Sequence, residues 1–347
     1  MSDIDDGAPL LFIHGIKGGH LRDGSGRRWV GVKQALGLDR RPLSSPLGWS
    51  DGKQDTDDLV PDGPIANVLW VPIYKPFLQA AARRHPTFVE FSYDWRREIP
   101  ESADRLIARL EQLAAEHGRP ARVIAHSMGG LVTLHALRRR PELTCGVLFA
   151  GTPFGTGIGF ARDTHLGAPV GLNKSILGVE AANTWAAHWV FFPHGPDAHL
   201  REGTRSLDHD WYDVASWEHH KLGVFAGGVP GVDAYRAHLA EALPRARETR
   251  RLLEDPGALA GAGVPIAILR SGDHDTPDTV VKDGPKAVRG WDVDSVEYVP
   301  GDHRVKTANA EPPGLEFEAF HTAKAHDSLL DDHAQVEAAL GWLVGQG

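Results

Sequence analysis

Cysteine is almost missing from this sequence: Cys145 is the single one among 347 residues, so no disulfide can close within the chain. It falls in an apolar, strand-like run, where a thiol serves as a small buried hydrophobe, and a reduced compartment fits that use. A basic excess is missing too. The formal net charge is −9 with both signs intermixed along the chain, which leaves no cationic stripe for a phosphate backbone and argues against a nucleic-acid partner. No stretch approaches the roughly 18 apolar residues of a membrane span, although transient contact with a membrane surface is compatible with this composition. The opening MSDIDDGAPL is acidic where a secretory leader is basic, so the expected location is cytoplasmic. Histidines and acids cluster in SLDHDW and SWEHH without a helical ligand spacing, and neither a metal nor a cofactor is expected.

What is present is enough apolar material, 41% of residues, for one large core or two modest ones. Short β-rich runs end in glycine, serine or aspartate and lead into helical patterns, the mark of parallel strands joined by crossover helices and hence of an α/β fold. The runs are Pro9 to His14, Phe88 to Tyr93, Ala121 to His126, Cys145 to Ala150, Pro265 to Arg270 and Ser295 to Val299. Helices are expected over Ile65 to Arg84, Ser102 to His117, Met128 to Arg140 and Asp327 to Val344. In the second, Leu106, Ile107, Leu110 and Leu113 share a face, Ser102 is placed to cap, and Gly118 to Pro120 stop the helix. Two segments interrupt the alternation, Gly18 to Pro64 and Thr152 to Val232, and both read as insertions on the core. They hold Trp29, Trp49, Trp185, Trp189, Trp211 and Trp217, which either line a ligand pocket or pack the insertions onto the core.

In VIAHSMGG a strand reaches Ser127 and a helix begins at once, so the serine sits in a tight turn with its hydroxyl projecting. Ala125, Gly129 and Gly130 are the small flanks that such a turn demands. The helix start after Ser127 offers free amides and a partial positive charge, suited to an oxyanion, with Met128 as one donor. A serine here could equally be a plain helix cap. The upstream LLFIHGIKGG tips the balance: it ends a strand in His-Gly before a glycine-rich loop, from which Ile16 can supply a second oxyanion amide.

A serine hydroxyl needs a histidine to take its proton and a carboxylate to orient that histidine. Among 19 histidines, position chooses. The base belongs in the loop between the strand LEFEAF and the last helix, which makes His326 the first candidate and His321 the second, with His333 inside the helix. Two acids compete for the third role, Asp275 in SGDHDTP and Asp302 in GDHRV, and spacing does not separate them.

Taken together, these passages resemble the family of lecithin:cholesterol acyltransferase, lysosomal phospholipase A2 and phospholipid:diacylglycerol acyltransferase. FSYDWRR is similar to its YDWR signature, with Ser92 where the family has proline, and AHSMGG and FAGTPFGTG are similar to its elbow and the segment after the next strand. NTWAAHWVFFP and WYDVASW resemble its tryptophan-containing lid passage; LRSGDHDTP and GDHRV resemble its YGxGxxT and GDGTV motifs. GDHRV lacks that motif's second glycine and threonine, and no cysteine pair is available to close a lid loop. The resemblance implies an α/β-hydrolase fold, a mainly parallel sheet flanked by helices, divided into core (1–151, with the 18–64 insertion), lid or cap (152–240) and the rest of the core (241–347). It favours Asp302 over Asp275 as the acid and makes Trp185, Trp189, Trp211 and Trp217 candidate substrate contacts. The implied activity is hydrolysis of a carboxylic ester of an apolar small molecule or lipid. Acyl transfer to an alcohol, opening of a bulky natural-product ester, and ligand binding without turnover are the alternatives.

Overall fold

The structure, a computed structural model, describes residues 6–194, 199–294 and 297–346. Its centre is a sheet of six strands: β1 (Leu10–Ile13), β2 (Phe88–Phe91), β3 (Ala121–His126), β4 (Thr144–Ala150), β5 (Ile266–Arg270) and β6 (Glu318–His321). All neighbours are parallel, in the spatial order β6-β5-β4-β3-β1-β2. β1 and β3 are buried along their whole length, as strands covered on both faces must be. Alternation then sorts the side chains: Leu11, Ile13, Val123 and Ala125 join one core, whereas Leu10, Phe12 and Ile124 join the core on the opposite face.

Helix α1 (Lys75–Arg84) follows a hairpin, Asn67–Val68 with Val71–Pro72, where one continuous helix from Ile65 is expected from the sequence. The reason is local: Leu69 takes φ 52°, Pro72 breaks the pattern, and Pro76 suits only a first helical turn. Helix α2 (Ile99–His117) likewise starts at Ile99 with Pro100 in its first turn, so Ser102 is a buried helical residue and not the cap. Gly118 closes that helix at φ 70°, donating to the Ala114 carbonyl. Helix α3 (Met128–Arg139) packs on α2, α4 (Val232–Glu254) packs on α3, and α5 (His333–Val344) covers β4, β5 and β6. Helix α4 is continuous across residue 240, the boundary expected between the lid and the rest of the core.

The expected strand Ser295 to Val299 departs most. Ser295 and Val296 lie outside the described residues, and Tyr298–Gly301 pairs antiparallel with His274–Pro277 in a two-stranded ribbon apart from the central sheet. Tyr298 is half exposed, which a central strand covered on both faces would not allow. The sixth core strand is instead β6, within LEFEAF.

The first insertion forms its own antiparallel sheet, Gly19–Asp23 between Gly26–Trp29 and Val60–Pro64. The YDWRR segment after β2 fastens it. Trp95 Nε1 donates to the Gly19 carbonyl at 3.0 Å, and Arg96, buried, binds both Asp94 (2.7 Å) and Asp57 (2.7 Å). Breaking such a buried network strands a charge, so its role is structural support beside the site.

Candidate active site

Ser127 is the only residue between β3 and α3, and it holds φ 53° with ψ −126°, a strained setting for any side chain but glycine. Surroundings over-determine it: the Ser127 N–H donates to the Ala150 carbonyl at 2.8 Å, and its own carbonyl accepts from Gly130 at 2.9 Å. Small neighbours are obligatory here. A Cβ on Gly129 would lie 2.5 Å from the His14 carbonyl oxygen, and one on Gly130 would lie 1.9 Å from Thr152 Oγ1.

His326 stands at the first turn after β6, with Nε2 2.9 Å from Ser127 Oγ and Nδ1 2.7 Å from Asp302 Oδ2. Asp302 ends the antiparallel ribbon. Its Oδ1 accepts from the amides of Arg304 (2.9 Å) and Val305 (2.7 Å), so both carboxylate oxygens are engaged. A carboxylate only accepts, which places the ring proton on Nδ1 and leaves Nε2 as acceptor for the serine hydroxyl. Burial works against ionisation of both groups, but their mutual attraction outweighs it: Asp302 is held below the usual carboxylate value and His326 above the usual imidazole value. Asp275 sits in the ribbon with its side chain exposed, and His321 ends β6, also exposed. Neither Asp275 nor His321 is among the partners of Ser127 or His326.

The loop after β1 passes so close to Ser127 that a Cβ on Gly15 would lie 2.7 Å from the serine Cβ. Tyr93 Oη donates to the His14 carbonyl at 3.0 Å, and the His14 ring stacks on Tyr93 at 4.6 Å, fixing the start of the loop. His14 Nδ1 donates to the Gly15 carbonyl (2.8 Å), and burial keeps the ring neutral, its pKa lowered to about 4. The amides of Ile16 and Met128 find no acceptor among the described residues and flank the serine from the loop and the helix start.

These groups open onto a cavity of about 430 Å³ whose wall is largely apolar, including Ile16, Trp29, Ile65, Phe160, Leu177 and Phe191. Trp185, Trp189, Trp211 and Trp217 are not part of that wall, contrary to their expected contact with substrate. They form the insertion's own core: Trp189 meets Trp217 edge-on at 5.2 Å, and Trp211 stacks on Phe192 at 4.6 Å. Each is at most 1% exposed. Indoles offer so much area that a small, irregular insertion consumes them for its own burial. The sequence reading missed Tyr74, Lys17 and Arg304, which also face the cavity. No motif marks Tyr74; Lys17 lies within HGIKGG and Arg304 within GDHRV, and each could have been flagged by its place beside Ile16 or Asp302. Lys17 Nζ reaches Asp163 of the short helix Ala161–Leu166 at 2.6 Å, tying this loop to the second insertion.

A parallel sheet with a serine at the β3 turn, a histidine after the last strand and an acid before it is the arrangement of the α/β-hydrolase fold. A chain in the crystal structure of the Tle4-Tli4 complex has the same fold, with a TM-score of 0.61, 14% identity and 98% of both chains covered. The model of the lecithin:cholesterol acyltransferase family matches residues 62–175, about a third of this chain. The chain is 26% identical over 274 residues to the phosphatidylcholine-sterol acyltransferase of Mus musculus, covering 75% of this chain and 57% of that one. It is also 26% identical over 215 residues to an uncharacterized protein of Saccharomyces cerevisiae, covering 60% of this chain and 33% of the other. The chain thus spans between a third and just over half of the length of these curated relatives.

Proposed function

We propose that the protein is a serine hydrolase acting on carboxylic esters with an apolar acyl or alkyl part, with Ser127 as nucleophile, His326 as base and Asp302 as acid. The observation that carries this reading is the unbroken line Asp302 Oδ2, His326, Ser127 Oγ, with contacts of 2.7 and 2.9 Å, at the edge of an apolar cavity. As Ser127 attacks the ester carbonyl, its proton passes to His326 Nε2, and Asp302 stabilises the imidazolium. The oxyanion is met by the Ile16 and Met128 amides. His326 then protonates the leaving alkoxide, and the alcohol departs from an acyl-serine. Water, deprotonated by the same histidine, releases the acid.

The apolar wall favours a lipid-like ester, and the second insertion, which contributes Phe160, Leu177 and Phe191, is read as the lid. Acyl transfer to an alcohol is the second reading, favoured by the likeness to proteins named acyltransferases; it differs only in which hydroxyl takes the place of water. Hydrolysis of p-nitrophenyl esters of graded chain length, with fluorophosphonate labelling in parallel, tests the proposal. Ser127→Ala is expected to lose activity by about a thousandfold or more and all labelling, with an unchanged circular dichroism spectrum. Full turnover by Ser127→Ala would overturn the assignment.

A further inference from the structure

The residue just before the nucleophile, His126, is buried, and both of its ring nitrogens are hydrogen-bonded within the protein. We infer that His126 and Tyr74 are positioning residues: they form a one-way hydrogen-bond relay that holds the oxyanion loop and the base in register with Ser127. This rests on the proposed reading of Ser127 and His326.

The direction of every bond follows from what each atom can do. His126 Nε2 lies 3.0 Å from the carbonyl oxygen of His326, which only accepts, so Nε2 carries the ring proton. Nδ1 is then bare and accepts from Tyr74 Oη at 2.7 Å. The same phenol oxygen accepts the Gly15 N–H at 3.2 Å. The relay therefore runs from the Gly15 amide through the phenol and the imidazole to the His326 carbonyl, with each donor facing one acceptor. It joins segments far apart in sequence, and these are the segments that carry the oxyanion amide, the nucleophile and the base.

The surroundings keep the relay in this form. The loop wraps the phenol, since a Cβ on Gly18 would lie 2.8 Å from Tyr74 Oη, and the Tyr74 ring is braced edge-on by Phe12 at 5.1 Å. Burial raises the Tyr74 phenol, which stays a donor, and burial with the neighbouring His326 lowers His126 to about 4, against the weaker pull of Asp302 and Asp327. A neutral ring matters because the two imidazoles are 5.1 Å apart and His326 becomes the cation during turnover. Misplacement of reacting groups by about 1 Å can cost a hundredfold in rate, so a register device of this kind acts on kcat.

The test uses the full chain and a soluble p-nitrophenyl ester. Tyr74→Phe and His126→Leu are each expected to lower kcat by about tenfold or more with KM changed by less than about twofold, and the two losses are not additive because they cut one relay. His126→Gln, whose amide can donate to the His326 carbonyl and accept from Tyr74, is expected to recover most of the rate. The ¹⁵N spectrum should show His126 neutral with its proton on Nε2. Full kcat in Tyr74→Phe, equal losses for Gln and Leu at His126, or a proton on Nδ1 would each overturn the inference. If His126→Leu fails to fold, Tyr74→Phe and the tautomer still decide. A wild-type protein inert to fluorophosphonate overturns the serine reading and this inference with it; an active wild type with indifferent variants overturns the relay alone.

Discussion

Gly15 and Ser127 touch backbone to side chain, with 2.7 Å left for a methyl group that needs far more. Gly15→Ala must push the loop away from the serine and carry the Ile16 amide with it. Loss of one oxyanion donor typically costs a hundredfold or so, and kcat is expected to fall by about that factor while thermal stability changes little. Measured kcat beside a melting curve separates the two. Asp302 supports a different expectation. Because Asp302 raises the pKa of His326 above 6.5, and only neutral His326 can act as base, kcat/KM should climb with pH through an acid limb that lies above 6.5. In Asp302→Asn that limb should move to lower pH and the rate should drop by about a hundredfold or more, whereas Asp275→Asn should leave the profile where it is. A profile that shifts with Asp275 instead would reverse the assignment. Individual residues were the most legible layer of the sequence, since Ser127, Ile16 and Met128 lie in contiguous motifs. Asp302 and Asp275 were inseparable by spacing because both belong to one antiparallel ribbon, Asp275 within one strand opposite Pro300 and Asp302 just past the end of the other, and only Asp302 reaches His326.

At the level of elements, the hairpin before α1 presents Trp70 at its tip with 84% of its surface exposed, while Val68 and Ile73 of the same excursion line the cavity. An indole held in water beside an apolar opening suits contact with an aggregated lipid. Trp70→Ser is expected to lower turnover of a lipid ester presented in vesicles by about tenfold and to spare a monomeric short-chain ester. Equal effects on both substrates would refute that role. This hairpin was half legible: Pro72 and Pro76 speak against one helix from Ile65, but the apolar rhythm of Ile65 to Arg84 masks them, and the positive φ of Leu69 is a turn no residue type announces. Helix α2 shows the milder form of the same fault: its leucine face was plain, but a proline in the first turn moved the start upstream of Ser102. Strands β1 and β3 read correctly because burial on both faces leaves little but branched and apolar residues to choose from.

Across the whole molecule, burial holds the imidazoles of His14, His20, His126, His135, His165, His188, His209 and His238 down to about 3 or 4, against 6.5 for a free ring. A depressed histidine lends stability that is complete above pH 6.5 and drains away as the pH falls toward the folded value, because the unfolded chain binds protons the folded one refuses. His326, shifted upward, acts in the opposite sense and is outnumbered. The melting temperature is therefore expected to fall steadily from pH 7 to pH 5, and a flat course over that range would contradict the burial of these rings. Composition alone could not show this, since nineteen histidines read as solvent-facing polar residues until the fold puts His188 and His209 among the tryptophans of the second insertion. Those rings also bear on how the protein behaves in suspension. With histidines neutral the folded molecule carries −9 and copies repel one another, but a chain opened near its isoelectric point of about 6.1 takes up protons on the released imidazoles and loses that repulsion as its aromatic interior meets water. Mild acid should thus clump the protein, and recovery after exposure to pH 6 should depend on how dilute the sample was.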